Sequence, residues 1–478
     1  MQANLRYAQT ADAVERTCAV LRELLGDDGV LTGAALAARP IADWSDAPSS
    51  CPAALLLPRT PAQVAGVLAI CHHARQPVAI QAGLTGLAGG ANVRKGEFAL
   101  SLQRLQAIED FDSMGGTVVV QAGVTLEQLQ SVAAERGWSF PLDLGARGSC
   151  QLGGNAATNA GGNRVLRHGM MRQSVLGLEV ALADGTLLPM LGRVIKDNAG
   201  FDLKHLFIGS EGCLGVITRL ALKLEPSRPV ASTVLCGMKS FDDCSLLLKQ
   251  AKSMLAELSA FELMWQDFFE AAAKATGRAL PFGQAHALYV LIEAQGPDAA
   301  SAAAAVERFL VDAMDKGIVE DAIVAQSVEQ AAQLWSYREA VSKLLSMNKP
   351  FTLAAFDVSV EMPVMEALVG ELREHLRSKY PECSHLFFGH LGDGNLHLIS
   401  GPYAGAAELD RVERAVYRCV GRYGGSISAE HGVGTVKKAF LHNSRGVQEI
   451  ALMRKLKQML DPHQILNPGR VFDGEPAT

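Results

Sequence analysis

The pattern of apolar and polar positions predicts alternating helices and strands over the first half of the chain. Residues 11–26 have the spacing of an amphipathic helix, and a strand, a helix opened by Pro61 and a second strand follow. An apolar strand at 118–123 precedes a helix that begins near Thr125, where Gln128 completes a capping box. This part of the chain therefore has the pattern of a mixed α/β region.

The pattern changes after Pro226. Before this residue, a hairpin is predicted at 175–190, with Asp184 and Gly185 at its turn. After it, the chain is predicted as strand, helix, strand and alanine-rich helix, with residues 241–264 forming one helix. We therefore predict an α+β protein with a separate α+β domain after residue 226.

Size and composition limit the class of protein. A chain of 478 residues is too long for one ordinary core, and its net charge of -6 comes without any basic run, which argues against nucleic-acid binding. The sequence contains no signal peptide and no transmembrane stretch. The nine cysteines are scattered without a CxxC pair, as is typical of reduced thiols. We expect a cytoplasmic protein, and peripheral membrane association is left open.

Two glycine-rich regions carry the first chemical signal. The loop at 81–91 follows an apolar strand, and its glycines allow backbone amides to approach a pyrophosphate closely. It matches neither G-x-G-x-x-G nor the Walker pattern, and one such loop alone also fits a mobile surface loop. A second region at 141–163 mixes glycines with Ser149, Asn155 and Thr158. Small residues leave room for a flat ring, and these polar side chains can bond its edge.

Together, PVAIQAGLTGLAGG, GSCQLGGNAATNAGG and EGCLGVIT, which begins at Glu211, resemble the vanillyl-alcohol oxidase/PCMH superfamily of FAD enzymes. The resemblance implies a PCMH-type FAD-binding domain at 1–226, a cap domain for the substrate at 227–419 and a segment at 420–478 that completes the FAD domain. The first loop would hold the pyrophosphate and the second would line the isoalloxazine ring.

The resemblance also implies which residues contact FAD. These are Gln81, Gly83, Leu84, Thr85, Gly86, Gly89, Gly90, Leu144, Gly148, Ser149, Gly153, Gly154, Asn155, Thr158, Gly161, Gly162, Gly212, Gly215, Val216, Ile217 and Asn467. The first loop contains neither histidine nor cysteine, so we expect the FAD to be bound non-covalently. His168 is the alternative point of attachment.

The histidines near the C-terminus carry the second signal. His390 and His397 flank a Gly-Asp-Gly-Asn turn, and in a hairpin both imidazoles fall on one face. Two imidazoles and a carboxylate suit zinc or another divalent metal, although such a histidine pair also occurs as part of the structure alone. The carboxylate candidate is Glu430. In an extended segment, Glu430 and His431 point to opposite sides. A solvated Glu-His pair is the alternative, which the glycines at 432 and 434 argue against.

The stretches GHLGDGNLH, SAEHGVG and LDPHQILNPGRVF resemble the D-lactate/D-2-hydroxyglutarate dehydrogenase branch of that superfamily. The resemblance implies that His390, His397 and Glu430 bind the metal and that His431 is the catalytic base. It implies that Arg338 pairs with the substrate carboxylate, although a helical arginine beside a glutamate is typically solvated. The implied substrate-binding residues are Arg338, Ser342, Ala355, Ile399 and His431.

Two positions bear on the substrate side chain. Relatives that favour D-2-hydroxyglutarate are similar in carrying a lysine and an asparagine where this chain has Ala355 and Ile399. Apolar residues there favour D-lactate or a larger apolar D-2-hydroxy acid. In the alternative, both residues only pack in the cap, and Lys343 or Lys349 contacts a distal carboxylate.

We therefore expect an FAD- and metal-dependent dehydrogenase that converts D-2-hydroxy acids to 2-oxo acids. No iron–sulfur cysteine motif is present, so the electrons must pass to an external, non-nicotinamide acceptor such as a quinone, a cytochrome or an electron-transfer flavoprotein. Four alternatives remain: a D-2-hydroxyglutarate dehydrogenase, an oxidase or glycolate-oxidase-type subunit, a non-redox transferase similar to alkyl-glycerone-phosphate synthase, and a silent flavin-binding module. A homodimer is also left open.

Overall fold

The computed structural model of the protein describes residues 10–36, 38–228, 230–296, 298–347 and 352–474. The chain forms two compact units. The first comprises the chain up to Gly162, Gly169–Ser227 and the chain from Glu430, and the second comprises Asn163–His168 and Arg228–Ala429. The chain passes from the first unit to the second after Ser227 and returns to the first at Glu430, and the domain bounds given above stay a prediction.

The elements before Arg228 follow the predicted order. They are α1 (Ala11–Leu25), β1 (Val30–Leu31), β2 (Leu55–Leu56), α2 (Pro61–Ala74), β3 (Val78–Gln81), β4 (Phe98–Ser101), β5 (Ile108–Asp112), β6 (Thr117–Gln121), α3 (Leu126–Ala134), β7 (Trp138–Ser139), α4 (Leu152–Ala157), α5 (Val165–His168, in the second unit), α6 (Met171–Ser174), β8 (Val175–Ala181), β9 (Leu187–Met190), α7 (Lys204–Phe207), β10 (Val216–Lys223) and β11 (Glu225–Pro226).

The first unit contains a four-stranded sheet in the order β1-β2-β4-β3 and a five-stranded sheet in the order β5-β6-β10-β8-β9. β11 pairs with β7 in a further two-stranded sheet. The predicted hairpin is confirmed, since β8 pairs antiparallel with β9. The capping box of α3 and the Pro61 start of α2 are also confirmed.

The elements of the second unit are β12 (Val230–Met238), α8 (Phe241–Met254), β13 (Leu258–Trp265), α9 (Gln266–Thr276), β14 (Leu288–Gly296), α10 (Ala299–Asp315), β15 (Asp321–Val324), α11 (Val328–Arg338), α12 (Val341–Met347), β16 (Thr352–Ser359), α13 (Met362–Lys379), β17 (Ser384–His390), β18 (Asn395–Tyr403) and α14 (Ala406–Arg422). Its strands form one seven-stranded sheet in the order β15-β12-β14-β13-β17-β18-β16.

The prediction of one helix over residues 241–264 is wrong. Helix α8 ends at Met254, and Leu258–Trp265 forms β13, whose eight residues are all buried. This strand pairs with β14 on one side and β17 on the other. A strand that is covered on both faces reads as a continuous apolar run, which periodicity alone does not distinguish from a buried helix.

The C-terminal return completes the first unit. Helix α15 (Val447–Leu460) is followed by a segment in which Leu466 pairs with Val78 of β3 and both are fully buried. Arg470 is also buried, and its guanidinium donates to both carboxylate oxygens of Glu97. In the described part of the chain, no helix combines the length and hydrophobicity needed to cross a bilayer.

Candidate active site

The first glycine loop presents a run of backbone donors. None of the amide groups of Gly83–Gly90 donates a hydrogen bond to the described part of the protein. Leu84 has φ +54° and Gly89 has φ +71°, so the backbone turns in the left-handed region at two points of this loop. Buried in the preceding strand, the Gln81 side-chain amide donates to the carbonyls of Ile41 and Ala91, and so closes the base of the loop.

The two glycine-rich regions meet at their backbones. A Cβ added to Gly83 would lie 2.2 Å from the carbonyl oxygen of Ser149, and one on Gly154 would lie 3.0 Å from the Cβ of Ala82. A Cβ added to Gly153 would lie 2.5 Å from the Cβ of Ala122, the residue that follows β6. Only glycine allows such an approach. The two glycine-rich regions therefore lie against each other in the first unit.

The other residues predicted to contact FAD divide into two groups. Gly148 and Ser149 are exposed, and Leu144, Thr158 and Gly162 are half-buried, whereas Asn155, Val216 and Ile217 are buried. Asn467 is buried as well, and its side chain is engaged within the protein. Its amide donates to the carbonyl of Glu211 at 2.7 Å and accepts from the amide of Ile80 at 2.8 Å. Asn467 therefore joins β3 to the Glu211 segment.

The segment that carries His431 is fixed against the first glycine loop. The amides of Thr435 and Val436 both donate to the carbonyl of Ala88, at 2.9 and 3.1 Å. A Cβ on Gly434 would lie 2.1 Å from that same oxygen. The candidate base therefore belongs to a segment that packs directly on the predicted pyrophosphate loop.

Glu211 is the second anchor of this segment. Its two carboxylate oxygens accept from the amides of Val433 and Gly434 at 2.7 and 2.8 Å. Burial raises the pKa of Glu211, while the hydrogen bonds from the two backbone amides and the charge of Lys437 act to lower it. The sequence pattern identified Glu211 only as the first residue of the EGCLGVIT motif. Its function as an anchor of the His431 segment was not predicted.

In the second unit, the two metal-site histidines lie on one face of the sheet. β17 and β18 form the predicted hairpin, in which Phe388 lies opposite His397 and His390 lies opposite Asn395. His390 and His397 therefore share a face, and their ring centroids are 5.3 Å apart. The adjacent strand β16 contributes Asp357, which lies directly opposite His397.

Glu262 on β13 connects this face to helix α11. Its carboxylate accepts from His390 Nδ1 at 2.7 Å and from Arg338 Nε at 2.7 Å. Burial alone would raise the pKa of Glu262, but the charge of Arg338 and the hydrogen bonds from His390 and Arg338 hold it below its ordinary value. The side chain of Arg338 also covers the ring of Phe388, with Cζ 4.8 Å from the ring centroid. Arg338 is therefore buried in a charged network, not solvated.

The predicted substrate positions differ in their surroundings. Ala355 and Ile399 lie directly opposite each other on β16 and β18, two residues from the Asp357–His397 pair and on the same face. Ile399 is buried in the apolar cluster of α9 and α12, whereas Ala355 is exposed. Ser342 and Lys343 are exposed on α12. Lys349 lies outside the described residues.

Glu430 and His431 lie in a series of bends. The extended segment considered in the sequence analysis is not formed here. The residue before them lies beside β16, because the amide of Ala429 donates to the carbonyl of Asp357 at 3.3 Å. Glu430 is the next residue, and it is the first residue of the returning segment of the first unit.

Comparison with known proteins assigns this arrangement to a family. Residues 228–471 match the family described as FAD linked oxidases, C-terminal domain, and residues 52–190 match the FAD binding domain. A protein of Xanthomonas citri pv. viticola named D-2-hydroxyglutarate dehydrogenase is 40% identical over 91% of this chain and 92% of its own length. The chain belongs to the FAD-linked oxidase family.

A second relative, from Schizosaccharomyces pombe, is named "Putative D-lactate dehydrogenase C713.03, mitochondrial" and is 37% identical over 97% of this chain and 90% of its own length. Among solved structures, p-cresol methylhydroxylase with bound substrate aligns with a TM-score of 0.79 over 98% of both chains at 18% identity, which supports the fold alone. This member of the FAD-linked oxidase family is an α+β oxidoreductase that binds FAD, as the sequence predicted.

The residues of the first unit fit FAD. A pyrophosphate needs several inward-facing amide donors, and the donors of Gly83–Gly90 have no described protein acceptor. The close approach of Gly83 to Ser149 excludes side chains from the junction of the two loops.

The donor set of the second unit fits a divalent metal. The His390 Nδ1–H donates to Glu262, which leaves Nε2 as the unprotonated nitrogen that a metal requires. In the structure this nitrogen accepts a hydrogen bond from Arg338 Nη2 at 3.1 Å, and coordination of a metal would replace that bond. Asp357 lies beside the second imidazole, with a carboxylate oxygen 3.9 Å from His397 Nδ1.

Proposed function

We propose that this protein oxidises D-2-hydroxy acids to 2-oxo acids. The observation that carries the proposal is the single sheet face on which His390 and His397 converge beside Arg338. A hydroxy acid offers a carboxylate and a neighbouring hydroxyl, and this face combines a guanidinium for the first with two imidazoles that can hold a metal for the second.

The residues divide the reaction between them. Bound FAD would supply the two-electron acceptor, and a bound divalent metal would supply a Lewis acid for the hydroxyl oxygen. Arg338 would hold the substrate carboxylate and so fix which face of Cα is presented. His431 would accept the hydroxyl proton, because a neutral imidazole is an effective base near pH 7. Its segment packs on the Ala88 carbonyl of the flavin loop, which supports this role.

We propose His390, His397 and Glu430 as the metal ligands, with zinc as the metal. Glu430 follows directly after Ala429, whose amide donates to the carbonyl of Asp357, the residue opposite His397, and this position in the sequence supports the assignment. His390→Ala and Glu430→Ala should each remove the stoichiometric metal, measured by mass spectrometry of the purified protein, and leave the flavin bound. Retention of the metal by either variant would remove that residue from the ligand set.

The preferred substrate is proposed to be D-lactate or a larger apolar D-2-hydroxy acid. Ala355 and Ile399 face each other beside His397 and offer no cation for a distal carboxylate. D-2-hydroxyglutarate is the second candidate, because the Xanthomonas relative at 40% identity is named for it. In that case, the exposed Lys343 would be the candidate, among the described residues, for contact with the distal carboxylate of D-2-hydroxyglutarate.

The test is anaerobic reduction of the bound flavin. D-lactate should bleach the flavin absorbance and L-lactate should not, and a chelator should slow the reaction. Comparison of kcat/KM for D-lactate, D-2-hydroxybutyrate, D-malate and D-2-hydroxyglutarate with a dye acceptor then ranks the substrates. A flavin that no D-2-hydroxy acid bleaches would overturn the proposed function. A preference for a dicarboxylate would overturn only the substrate assignment.

The remaining assignments concern cofactor attachment, acceptor and compartment. We propose non-covalent FAD, so acid precipitation should release the flavin, and flavin in the pellet would point to His168. The acceptor is proposed to be a quinone, a cytochrome or an electron-transfer flavoprotein, tested by supplying each to the reduced enzyme. All nine cysteines are free thiols, which supports a reducing compartment such as the cytoplasm.

A further inference from the structure

One buried carboxylate holds two of the proposed functional groups at once. Glu262 lies in the middle of the seven-stranded sheet and is 1% exposed. His390 Nδ1 and Arg338 Nε donate to its two oxygens, each at 2.7 Å, and Arg338 Nη2 lies 3.1 Å from His390 Nε2. The three side chains therefore form a closed ring of hydrogen bonds.

The chemistry of this ring fixes the state of His390. A carboxylate can only accept, so Nδ1 must carry the proton that it donates to Glu262. Arg338 Nη2 can only donate, so the second ring nitrogen, 3.1 Å away, accepts and is unprotonated, which is the form that ligates a metal. Without the carboxylate, the neutral imidazole of His390 could carry its proton on either nitrogen.

The same carboxylate fixes the direction of Arg338. Its Nε is held by Glu262 and its Nη2 faces His390, while Nη1 makes no hydrogen bond to the described residues. A guanidinium held at one edge keeps its outer nitrogen in a constant direction, as recognition of a substrate carboxylate requires.

We propose that Glu262 is a positioning residue for the reaction, which selects the metal-binding tautomer of His390 and aims Arg338 at the substrate carboxylate. This inference rests on the proposed function, in which His390 is a metal ligand and Arg338 binds substrate. The competing explanation is that Glu262 is only a structural ion pair of the sheet. Such a pair would affect stability, but not the metal affinity of the folded protein.

The chain provides a matched control for the competing explanation. Glu293 lies on the neighbouring strand β14 and is also buried, and its carboxylate accepts from Arg164 at 3.1 Å and from Ser259 at 2.7 Å. Glu293→Gln therefore weakens a comparable carboxylate–arginine pair in the same sheet. No hydrogen bond in the described structure joins Glu293 to His390 or Arg338.

The experiment measures the Zn²⁺ dissociation constant of each folded FAD-loaded protein by competition with a chromophoric chelator. Glu262→Gln should weaken Zn²⁺ binding by about 10–100-fold, the usual effect of losing the partner of a ligating histidine. Its KM for D-lactate should rise as well, since Arg338 is no longer held. Glu293→Gln should leave both quantities unchanged. Equal values in the two variants would overturn the proposal.

A second measurement covers the case in which Glu262→Gln does not fold. In the wild-type holoenzyme labelled with ¹⁵N-histidine, the signals that His390→Ala removes should show a protonated Nδ1. A protonated Nε2 on His390 would overturn the proposal. A wild-type protein that binds no Zn²⁺ would overturn the metal part of the proposed function instead. In that case, the KM of a folded Glu262→Gln for D-lactate would still decide whether Glu262 positions Arg338.

Discussion

The two units hold their functional groups by different physical means. In the first unit, a loop presents backbone amides, and its neighbours contact it mainly through glycine positions and main-chain hydrogen bonds. In the second unit, strands present side chains, and strand register and one buried carboxylate determine their positions. A loop site depends on the absence of side chains at a few positions, whereas a sheet site depends on which residues pair across strands.

This difference predicts different responses to mutation. In the loop region, added atoms should be most damaging, because backbone oxygens lie within van der Waals distance of the missing Cβ atoms. In the sheet region, removed or altered polar atoms should be most damaging, because they leave buried partners unsatisfied.

His431→Ala should cause the largest loss. The variant should keep its flavin and its metal and lose about 10²–10⁴-fold in turnover, since it lacks the proposed general base. His442→Ala, an exposed histidine of the same returning segment, is the control and should be unaffected. Metal loss in His431→Ala would mean that the proposed division of roles between Glu430 and His431 is wrong.

Gly83→Ala should impair flavin binding. The new Cβ would lie 2.2 Å from the Ser149 carbonyl and 2.9 Å from the Cα of Cys150, so the two glycine regions must move apart. Overpacking of this kind costs about 1–3 kcal/mol, or roughly 5–150-fold in FAD affinity if the displaced loop is the binding surface. Gly145→Ala is the control, because nothing lies within 4 Å of its added Cβ. A Gly83→Ala protein with native FAD affinity would separate this loop from the flavin site.

Glu211→Gln should reduce activity less than the two preceding substitutions. It tests whether this side chain holds the segment that carries His431. A glutamine offers one acceptor where Val433 and Gly434 need two, so one buried amide loses its partner. We expect about 1–3 kcal/mol lower stability and about a tenfold lower kcat, because the His431 segment is less well held.

Glu179→Gln is the matched control for Glu211→Gln, since Glu179 is a buried carboxylate of the first unit that accepts from Thr218 at 2.8 Å. It should lose stability without a comparable loss of kcat. Equal loss of kcat in the two variants would contradict a specific anchoring role for Glu211. Urea unfolding and steady-state kinetics provide the two measurements.

The same contrast explains what the sequence could and could not predict. The glycine loops and the His390–His397 hairpin are local, so their residues stand together in the sequence and their pattern was interpretable. Glu262 stands 128 residues from His390 along the chain, and its strand was predicted as part of a helix. Nothing near Glu262 in the sequence names its partners, which only the pairing of β13 with β17 reveals. Glu211 escaped prediction for the same reason, since its partners lie more than 200 residues away.

Replacement of Ala355 by lysine and Ile399 by asparagine should have the smallest effect on the reaction, a change in substrate preference. The two positions face each other beside His397, so both new polar groups would point to the same side of the sheet. Because Ala355 is exposed, the new lysine would pair with a distal carboxylate in a partly solvated setting, where such pairs contribute about 0.2–1 kcal/mol. The ratio of kcat/KM for D-2-hydroxyglutarate to that for D-lactate should therefore rise by roughly 1.5–5-fold in the double variant. Ala355→Gln with Ile399→Asn provides a matched control without the new charge and should change the ratio less. A double variant whose ratio equals that of the wild type would show that these residues only pack in the sheet, and that another group contacts the substrate side chain.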